Sequence, residues 1–324
     1  MKAIVCRELG LPEKLVFDDI PDPKPGPGDV RIAVKASSVN FPDALIIQGK
    51  YQMKVVPPFV PGAEVAGTVV EVGERVTQFK KGDGVVAFIP TGGYAEQVVA
   101  SAHTAVLLPP SVDFTKAAAL TLVFGTSLHA LKQRAQLKSG ETLLVLGAAG
   151  GVGLAAVQIG KIMGARVIAA ASSAEKLALC RENGADETID YSTESLKEAV
   201  KKLTKGRGAD VIYDPVGGAL AQDCLSCIAW NGRYLVIGFA SGTIPDIAAN
   251  RLLLKGASAV GVFWGSFTAH EPQVNAENIA QLFAWMKEGR IRPYVSKTYP
   301  LNEAAQALRD MLERKVTGKI VLLP

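Results

Sequence analysis

The first 110 residues consist of short apolar runs separated by glycine, proline and polar residues. Twelve of the eighteen prolines lie before residue 111, and none lies between residues 111 and 214. Short runs with frequent turn residues predict an antiparallel β-rich module. The predicted strands are AIVC, LVFDDI, VRIAVKASSV, EVAGTVVEV, GVVAFI and AEQVVA.

A different pattern begins at Lys116. The segment KAAALTLVFGTSLHALKQRAQL contains good helix formers and no proline, which predicts one or two helices. Strand-like runs then alternate with helix-like runs of ten to fourteen residues, from TLLVLG to SAVGVFW. Such alternation is typical of right-handed βαβ units, in which helices cover both faces of a parallel sheet. We therefore predict an α/β fold whose second domain contains a doubly wound, six-stranded parallel sheet.

The alternation ends after Trp264. The remaining residues predict a helix (NAENIAQLFAWMKEG), a strand near PYVSKTYPL, a second helix (NEAAQALRDMLERK) and a last strand, GKIVLL. A lone last strand needs a sheet to join, and the N-terminal β-rich module is the expected host, although periodicity alone does not establish this. We predict one β-rich domain formed by residues 1–123 and 265–324, with residues 124–264 inserted as the α/β domain.

Size and charge exclude several classes of protein. The 324 residues correspond to roughly two domains, and 48% hydrophobic residues suffice for two buried cores, which excludes disorder and small disulfide scaffolds. The net charge of +4 is spread along the chain, so nucleic acid is not expected as a primary partner. Four cysteines indicate buried thiols of a reducing compartment. Because charges at Arg7 and Glu8 precede any apolar run of signal-peptide length, we expect a cytoplasmic protein.

The strongest local signal is a glycine-rich turn within the apolar stretch of residues 142–157. Glycines interrupt this apolar stretch, so a strand, a turn and a helix explain it better than a membrane span. Ala148, Gly150 and Gly153 occupy the three glycine positions of the G-x-G-x-x-G fingerprint, whose backbone N–H groups face a pyrophosphate. The alternative is a turn that only packs helix on strand, but its place in the first βαβ unit favours a dinucleotide site. The predicted contacts are Ala148, Gly150, Gly151, Val152 and Gly153.

The residues after the second strand of this unit indicate which dinucleotide binds. An NAD site usually places a carboxylate there on the ribose 2′-hydroxyl. This chain instead has Ser172, Ser173 and, slightly later, Lys176, which suit a 2′-phosphate. Glu175 is the competing residue, but it falls in the following predicted helix, and Lys176 also fits a solvated helix charge. We predict NADPH as the cofactor.

Several further motifs, taken in order, resemble one family. They are Val39-Asn40-Phe-Pro-Asp43, Gln48-Gly-Lys-Tyr51, Pro57-Pro-Phe-Val-Pro-Gly-Ala63-Glu64-Val-Ala-Gly67, Gly92-Gly-Tyr94-Ala95, Asp214-Pro-Val-Gly217-Gly218, Asn231-Gly-Arg-Tyr-Leu-Val-Ile-Gly238-Phe-Ala-Ser-Gly242 and Thr317-Gly-Lys319-Ile-Val-Leu. Together with the glycine-rich turn, they resemble the zinc-free quinone oxidoreductases of the medium-chain dehydrogenase/reductase superfamily, the group that includes zeta-crystallin. The resemblance covers essentially the whole chain.

The resemblance implies a GroES-like catalytic domain made from both chain ends, a Rossmann domain between them, and a cleft that holds NADPH. It implies that Ser173, Lys176 and Tyr191 hold the 2′-phosphate and that Asn40 and Tyr51 face the substrate. Tyr51 and Trp264 also fit simple packed aromatics. The remaining implied cofactor contacts are Asn40, Thr126, Gly217, Gly238, Phe239, Ala240, Phe263, Trp264 and Lys319.

The comparison with zinc-dependent relatives predicts no metal site. Their Cys, His and Cys ligands are matched here by Asn40, Ala63 and apparently Leu122, and the cysteine-rich structural-zinc lobe is missing. The three histidines (His103, His129, His270) have no ligand spacing. The pair Cys224-x-x-Cys227 falls on a predicted helix with no second pair, which indicates helix packing.

Without a Lewis acid, alkoxide formation from a simple alcohol is disfavoured, whereas hydride addition to a conjugated system gives an anion that hydrogen-bond donors stabilise. We predict hydride transfer from NADPH to quinones, with Asn40, Tyr51 and nearby backbone N–H groups as donors and with the proton coming from water or from Tyr51. The alternatives are reduction of activated alkenes (enones, 2-alkenals or enoyl thioesters) and a non-catalytic, zeta-crystallin-like NADPH-binding role. Hydrolase chemistry has no support, since Ser127 and His129 do not face each other on a helix. The resemblance also implies a homodimer joined through the edge strand SAVGVFW.

Overall fold

The structure is a computed structural model that describes residues 1–109 and 112–324. The chain forms two compact units: Met1–Leu122 with Pro293–Pro324, and Val123–Arg292. The strands, numbered along the chain, are β1 (Lys2–Cys6), β2 (Leu15–Asp19), β3 (Asp29–Val39), β4 (Glu64–Val72), β5 (Gly84–Phe88), β6 (Gln97–Ser101), β7 (Ala105–Leu107), β8 (Thr142–Val145), β9 (Arg166–Ala171), β10 (Glu187–Asp190), β11 (Ala209–Asp214), β12 (Ile228–Val236), β13 (Ser258–Gly261), β14 (Val295–Pro300) and β15 (Lys319–Leu323).

The helices are numbered in the same way. They are α1 (Phe41–Ile47), α2 (Phe114–Ala118), α3 (Thr121–Leu128), α4 (Gly151–Ile162), α5 (Ala174–Glu182), α6 (Leu196–Leu203), α7 (Leu220–Cys227), α8 (Ala249–Lys255), α9 (Trp264–His270), α10 (Pro272–Lys287) and α11 (Ala304–Leu312). Single 3₁₀ turns occupy Pro12–Lys14 and Leu301–Glu303, and a π-helical turn at His129–Arg134 continues α3.

The first unit is built on a sheet with the order β14-β15-β3-β4-β5-β7, and β6 also pairs with β3. β3 is eleven residues long, so β6 pairs with its first half and β15 with its last residues. All of these pairs are antiparallel except β14 with β15, which is parallel. Because β15 pairs with β3, the last strand joins the N-terminal module, as predicted.

The second unit is a parallel sheet with the order β10-β9-β8-β11-β12-β13. Counted along the chain from β8, this order is 3-2-1-4-5-6, which is the order of the Rossmann fold. Leu144, Ile168 and Ile212 of three central strands are fully buried in its core. The predicted Rossmann sheet of six parallel strands is therefore confirmed.

The apolar stretch of residues 142–157 forms β8, a turn and the start of α4, as its glycines predicted. No helix within the described part of the chain is long and apolar enough to cross a membrane.

The second boundary between the units differs from our prediction. Residues 265–292, which we assigned to the β-rich domain, pack with the second unit. The cause is a set of polar contacts from α10: buried Asn278 accepts from Lys132 at 3.0 Å and from Gln133 at 3.2 Å. Trp264 likewise donates from Nε1 to Asn275 Oδ1 at 3.1 Å. The predicted β-rich segment thus begins 28 residues too early, at 265 instead of 293.

Candidate functional site

The glycine-rich turn lies after β8, at the point where the sheet order changes direction between β9 and β11. Gly150 donates its N–H to Gly147 O at 2.9 Å and is the N-cap of α4. A Cβ at Gly153 would lie 2.3 Å from Gly147 O, whereas a Cβ at Gly150 would meet only that oxygen, at 3.3 Å. Gly153 is therefore required by the turn itself. Gly150 has an open side, which fits the close approach of a pyrophosphate to the first N–H groups of α4.

The residues predicted for the 2′-phosphate lie at the carboxyl ends of the neighbouring strands β9 and β10. Ser173 Oγ caps α5 by accepting from Lys176 N at 3.3 Å. Tyr191 N donates to Ala171 O at 3.1 Å. The nearby carboxylate of Asp190 accepts from Ser192 N at 3.0 Å and so closes its own turn. The structure therefore brings Ser173, Lys176 and Tyr191 together at one edge of the sheet, where NADPH contact stays a prediction.

A second pair of loops follows β11 and β12. Asp214, at the end of β11, accepts backbone N–H groups from Val216 at 2.7 Å and Gly217 at 2.9 Å through Oδ1. Its Oδ2 accepts the Tyr234 hydroxyl. The loops contact each other, since Ala240 N donates to Pro215 O at 3.0 Å. The predicted residues Gly217, Gly238, Phe239 and Ala240 thus lie in one structure organised by Asp214.

Helix α3 contains Thr126, and the two residues that flank Thr126 contact other segments of the second unit. Ser127, the next residue, donates its hydroxyl to Val152 O at 2.9 Å and lies 2.8 Å from the Tyr213 hydroxyl. A Cβ on Gly125 would lie 2.8 Å from the Trp264 ring, so the indole rests directly on the helix backbone. Trp264 is only 4% exposed, whereas the neighbouring Phe263 is 51% exposed.

The first unit contains a buried cluster of charged and polar side chains. Lys319 Nζ donates to Val39 O at 2.9 Å and to Asn40 Oδ1 at 2.5 Å. Glu64 accepts Leu122 N–H at 2.8 Å and faces Asn40 Nδ2 at 3.4 Å. Burial raises the pKa of Glu64 and lowers the pKa of Lys319, and each charge partly offsets the shift of the other. The amide of Asn40 therefore lies between an ammonium and a carboxylate.

A second buried carboxylate, that of Asp43, contacts the backbone of Asn40. Asp43 Oδ2 accepts Asn40 N–H and the Tyr94 hydroxyl, each at 2.8 Å, and Oδ1 is buried with no partner in the described structure. Burial raises the pKa of Asp43 to about 6. Tyr51 follows α1 and is half-buried, and burial together with the Asp43 charge raises the pKa of its hydroxyl. Tyr51 therefore stays protonated at neutral pH and can act as a hydrogen-bond donor.

The three positions matched to zinc ligands do converge in the structure. The Leu122 N–H and the Asn40 amide both contact the carboxylate of Glu64, the residue after Ala63. Their side chains are an amide, a methyl and an isobutyl group, none of which suits zinc. Within residues 1–109 and 112–324, no group of three His, Cys, Asp or Glu residues is arranged to hold a metal ion.

The three histidines and the Cys224-x-x-Cys227 pair lie in packed or exposed positions. His129 is buried and stacks on Phe267 at 3.8 Å, whereas His103 and His270 are exposed. Cys224 and Cys227 are free, lie on α7 in the core, and have pKa values raised by burial, to about 12 for Cys227. These thiols are therefore packed and unreactive.

Glu64, Asp43 and Asp214 lie within the sequence motifs, but their structural roles were not predicted. Each had a local signal. Glu64 is the only charged residue between Lys54 and Glu71, and Asp43 stands three residues after Asn40, as in a capping box. Asp214 ends an apolar strand before a Pro-Val-Gly-Gly turn.

Comparison with protein families and solved structures defines the class of protein. Residues 26–110 match the alcohol dehydrogenase GroES-like domain, and residues 151–285 match the zinc-binding dehydrogenase family. These are the two domains of the medium-chain dehydrogenase/reductase superfamily, and their order agrees with the two units of the structure.

Close relatives narrow the class. The quinone oxidoreductase-like protein 2 homolog of Nematostella vectensis is 45% identical over 99% of this chain and 88% of its own length. The quinone oxidoreductase of Pseudomonas aeruginosa is 38% identical over 100% of this chain and 99% of its own. The chain therefore belongs to the quinone oxidoreductase-like family of this superfamily.

Solved structures agree with this assignment. A mycobacterial protein complexed with NADPH has a TM-score of 0.94 and 35% identity, and Escherichia coli quinone oxidoreductase complexed with NADPH has a TM-score of 0.93 and 29% identity, each over 100% of both chains. The CurK enoyl reductase has a TM-score of 0.89 and 27% identity over 99% of this chain and 98% of its own.

Proposed function

We propose that this protein is an NADPH-dependent oxidoreductase that transfers hydride to quinones. The observation that carries the proposal is at the carboxyl ends of β8, β9 and β10, where an open glycine turn lies near Ser173, Lys176 and Tyr191 and where β9 itself ends in Ala171 and not in a carboxylate. Two similar structures are complexes with NADPH, and several relatives are named quinone oxidoreductases.

The second unit supplies the groups that would hold the cofactor. The N–H groups of Gly151, Val152 and Gly153 open α4 and suit the pyrophosphate, while Ser173 and Lys176 suit the 2′-phosphate. The remaining proposed contacts are Asn40, Thr126, Ala148, Gly150, Tyr191, Gly217, Gly238, Phe239, Ala240, Phe263 and Trp264. When bound, NADPH supplies a hydride.

The first unit supplies the groups proposed for the acceptor. Addition of hydride to a quinone leaves negative charge on an oxygen, which positioned hydrogen-bond donors stabilise. Tyr51, kept protonated by burial, donates to that oxygen and delivers the proton, and water then restores the tyrosine. The Nδ2 contacts of Asn40, at 3.3 and 3.4 Å, are long for hydrogen bonds, so a substrate oxyanion competes well for one of its hydrogens.

Reduction of activated alkenes is the second candidate. The similarity to the CurK enoyl reductase favours it, and hydride addition to the β-carbon of an enone or enoyl thioester leaves an enolate oxygen that the same donors would stabilise. A non-catalytic NADPH-binding role is the third reading, and it predicts affinity for NADPH without turnover.

The test is a panel of acceptors, followed by the loss of NADPH absorbance: a benzoquinone, a naphthoquinone, an enone, a 2-alkenal and an enoyl thioester, each repeated with NADH and with a chelator. Quinone turnover with NADPH that the chelator does not change supports the main proposal. Turnover confined to alkenes supports the second candidate, and binding without turnover supports the third. Chelator-sensitive alcohol oxidation contradicts all three.

We further propose a cytoplasmic homodimer. β13 is the end strand of the second unit's sheet, and within the described residues no further strand pairs with its outer side, which suits pairing with a second copy. Trp230, Leu253 and Leu254 of the same unit are each more than two-thirds exposed. Light scattering tests the dimer, and Val260→Pro on β13 is expected to give monomers. Free, buried cysteines suit a reducing compartment such as the cytoplasm.

A further inference from the structure

We infer that Lys319 is a positioning residue, which holds the Asn40 amide in one orientation and strengthens it as a donor to the substrate oxyanion. The inference rests on the proposed function, in which Asn40 contacts the acceptor. It gives Lys319 a role different from the cofactor contact that the family resemblance implies.

The backbone places the two side chains together. β15 pairs with β3 in antiparallel register, with Ile320 opposite Val39, so the next pair of positions is Lys319 and Asn40. Lys319 is only 5% exposed and Asn40 only 3%. The ammonium reaches both the Val39 carbonyl and the Asn40 amide oxygen, at 2.9 and 2.5 Å. The bond therefore depends on the strand pairing and not on a mobile surface chain.

Two opposite charges determine which way the amide points. Oδ1 of Asn40 accepts from the Lys319 ammonium, and Nδ2 faces the Glu64 carboxylate at 3.4 Å and the Ser38 carbonyl at 3.3 Å. A reversed amide would put its oxygen against the carboxylate and its NH₂ against the ammonium, and both contacts would be repulsive. Glu64 is itself held by the Leu122 N–H. One orientation is thus strongly favoured.

The hydrogen bond from Lys319 also changes the strength of Asn40 as a donor. A cation on the amide oxygen withdraws electron density, which makes the Nδ2 hydrogens better donors, because linked hydrogen bonds polarise one another. The long contacts at Nδ2 leave these hydrogens weakly engaged. Lys319 therefore acts on the substrate oxyanion through Asn40.

The kinetic test uses the full-length protein and four variants: Lys319→Met, Lys319→Arg, Asn40→Leu and the Lys319→Met/Asn40→Leu double variant. Lys297→Met, which removes a half-exposed lysine of the same unit, is the matched control. At saturating NADPH we expect Lys319→Met to lower kcat about 10- to 100-fold, somewhat less than loss of a whole oxyanion donor. Lys319→Arg restores most of the activity, and the double variant is no slower than Asn40→Leu alone.

Two kinetic results would overturn the inference. One is a double variant whose loss is the product of the two single losses, because the residues would then act independently. The other is a raised Kd for NADPH in Lys319→Met with kcat unchanged, since Lys319 would then contact the cofactor. If Lys319→Met does not fold because Asp43 and Glu64 lose their cation, Lys319→Met/Glu64→Gln replaces it.

A spectroscopic readout separates this inference from the proposed function. In protein labelled with ¹⁵N-asparagine, the Asn40 NH₂ signal is identified by its loss in Asn40→Leu. It is expected to move in Lys319→Met and to stay close to its original position in Lys319→Arg and Lys297→Met. An unmoved signal in Lys319→Met refutes the positioning role. If the parent reduces no acceptor but the signal moves, the proposed function fails and the positioning of the amide stands.

Discussion

The glycine-rich turn of the second unit and the charged cluster of the first unit are built in opposite ways. The turn presents backbone N–H groups and depends on side chains being absent, as the 2.3 Å approach of a Gly153 Cβ to Gly147 O shows. The cluster depends on three side chains, Asn40, Glu64 and Lys319, held by charge in a buried place. A change in the turn should therefore act through geometry, and a change in the cluster through charge and proton position.

The largest effect is expected from Gly153→Ala. The added Cβ would meet Gly147 O and the Ala148 backbone, which have little room to move. We expect a destabilisation of about 1–3 kcal/mol, as for other overpacked sites, together with loss of NADPH binding. Thermal unfolding and NADPH titration measure the two effects.

Two other glycines serve as controls. A Cβ at Gly150 meets only Gly147 O, at 3.3 Å, so Gly150→Ala should keep its stability while its affinity for NADPH falls. A Cβ at Gly28, in the first unit, has nothing within 4 Å, so Gly28→Ala should change neither property. A Gly153→Ala protein as stable as its parent would show that the turn is not built by close backbone contact.

The next largest effect is expected from Tyr51→Phe, which removes the hydroxyl and keeps the ring. If Tyr51 delivers the proton, kcat should fall by about 100-fold, the lower end for a general acid. NADPH affinity and thermal stability should be unchanged. Tyr294→Phe, at a more exposed tyrosine of the same unit, is the control. Turnover equal to the parent on every acceptor would remove Tyr51 from the mechanism.

The same contrast explains what the sequence could predict. The six strands of the second sheet and the turn after β8 are local patterns of apolar residues and glycines, so their number and the turn were predicted, although residues 228–230 at the start of β12 fell in a predicted helix. The contact of Lys319 with Asn40 spans 279 residues, and no local pattern encodes it. Lys319 was singled out only through family resemblance, and the contact with Asn40 was not foreseen.

The misplaced second boundary has a similar cause. The alternation of predicted strands and helices ends at Trp264, but the unit to which the following residues belong is determined by their packing. The contact of Lys132 with Asn278 joins residues that are 146 positions apart in the sequence. Because both side chains are polar, the pattern of hydrophobic residues does not predict this contact. Glu64 and Asp43 did carry local signals, but a charged residue in an apolar segment does not show which distant group neutralises it.

A smaller effect is expected from Lys176→Met, in the first turn of α5 after the carboxyl end of β9. If Lys176 binds the 2′-phosphate, the ratio of NADPH to NADH affinity should fall about 10-fold, equal to about 1.4 kcal/mol. The substitution leaves the backbone N–H of residue 176 in place, and this N–H still donates to Ser173 Oγ, so α5 should stay intact. Glu175→Gln is the matched control and should leave the ratio unchanged. A higher Kd for NADH in Glu175→Gln would instead assign the ribose to Glu175.

The smallest effect concerns the pH dependence of stability in the first unit. Burial raises the pKa of Asp43 from its ordinary 3.8 to about 6, so the folded state favours the protonated acid. The stabilisation is complete below the unfolded pKa and is lost as pH rises through the folded value. Between pH 5 and pH 7 this loss amounts to about 1 kcal/mol.

Asp43→Asn tests this effect, because the amide keeps an oxygen that accepts from Tyr94 and Asn40 but does not titrate. From pH 5 to pH 7 the parent should lose about 1 kcal/mol more unfolding free energy than the variant. Asp310 is the matched control: it also accepts a tyrosine hydroxyl, but the Tyr299 bond and nearby Lys297 lower its pKa. Asp310→Asn should therefore follow the parent over this range. Parallel curves of unfolding free energy against pH for Asp43→Asn and the parent would mean that Asp43 stays ionised over this range. The charge of the Asp43 carboxylate would then be balanced more completely than its buried, unpartnered Oδ1 indicates.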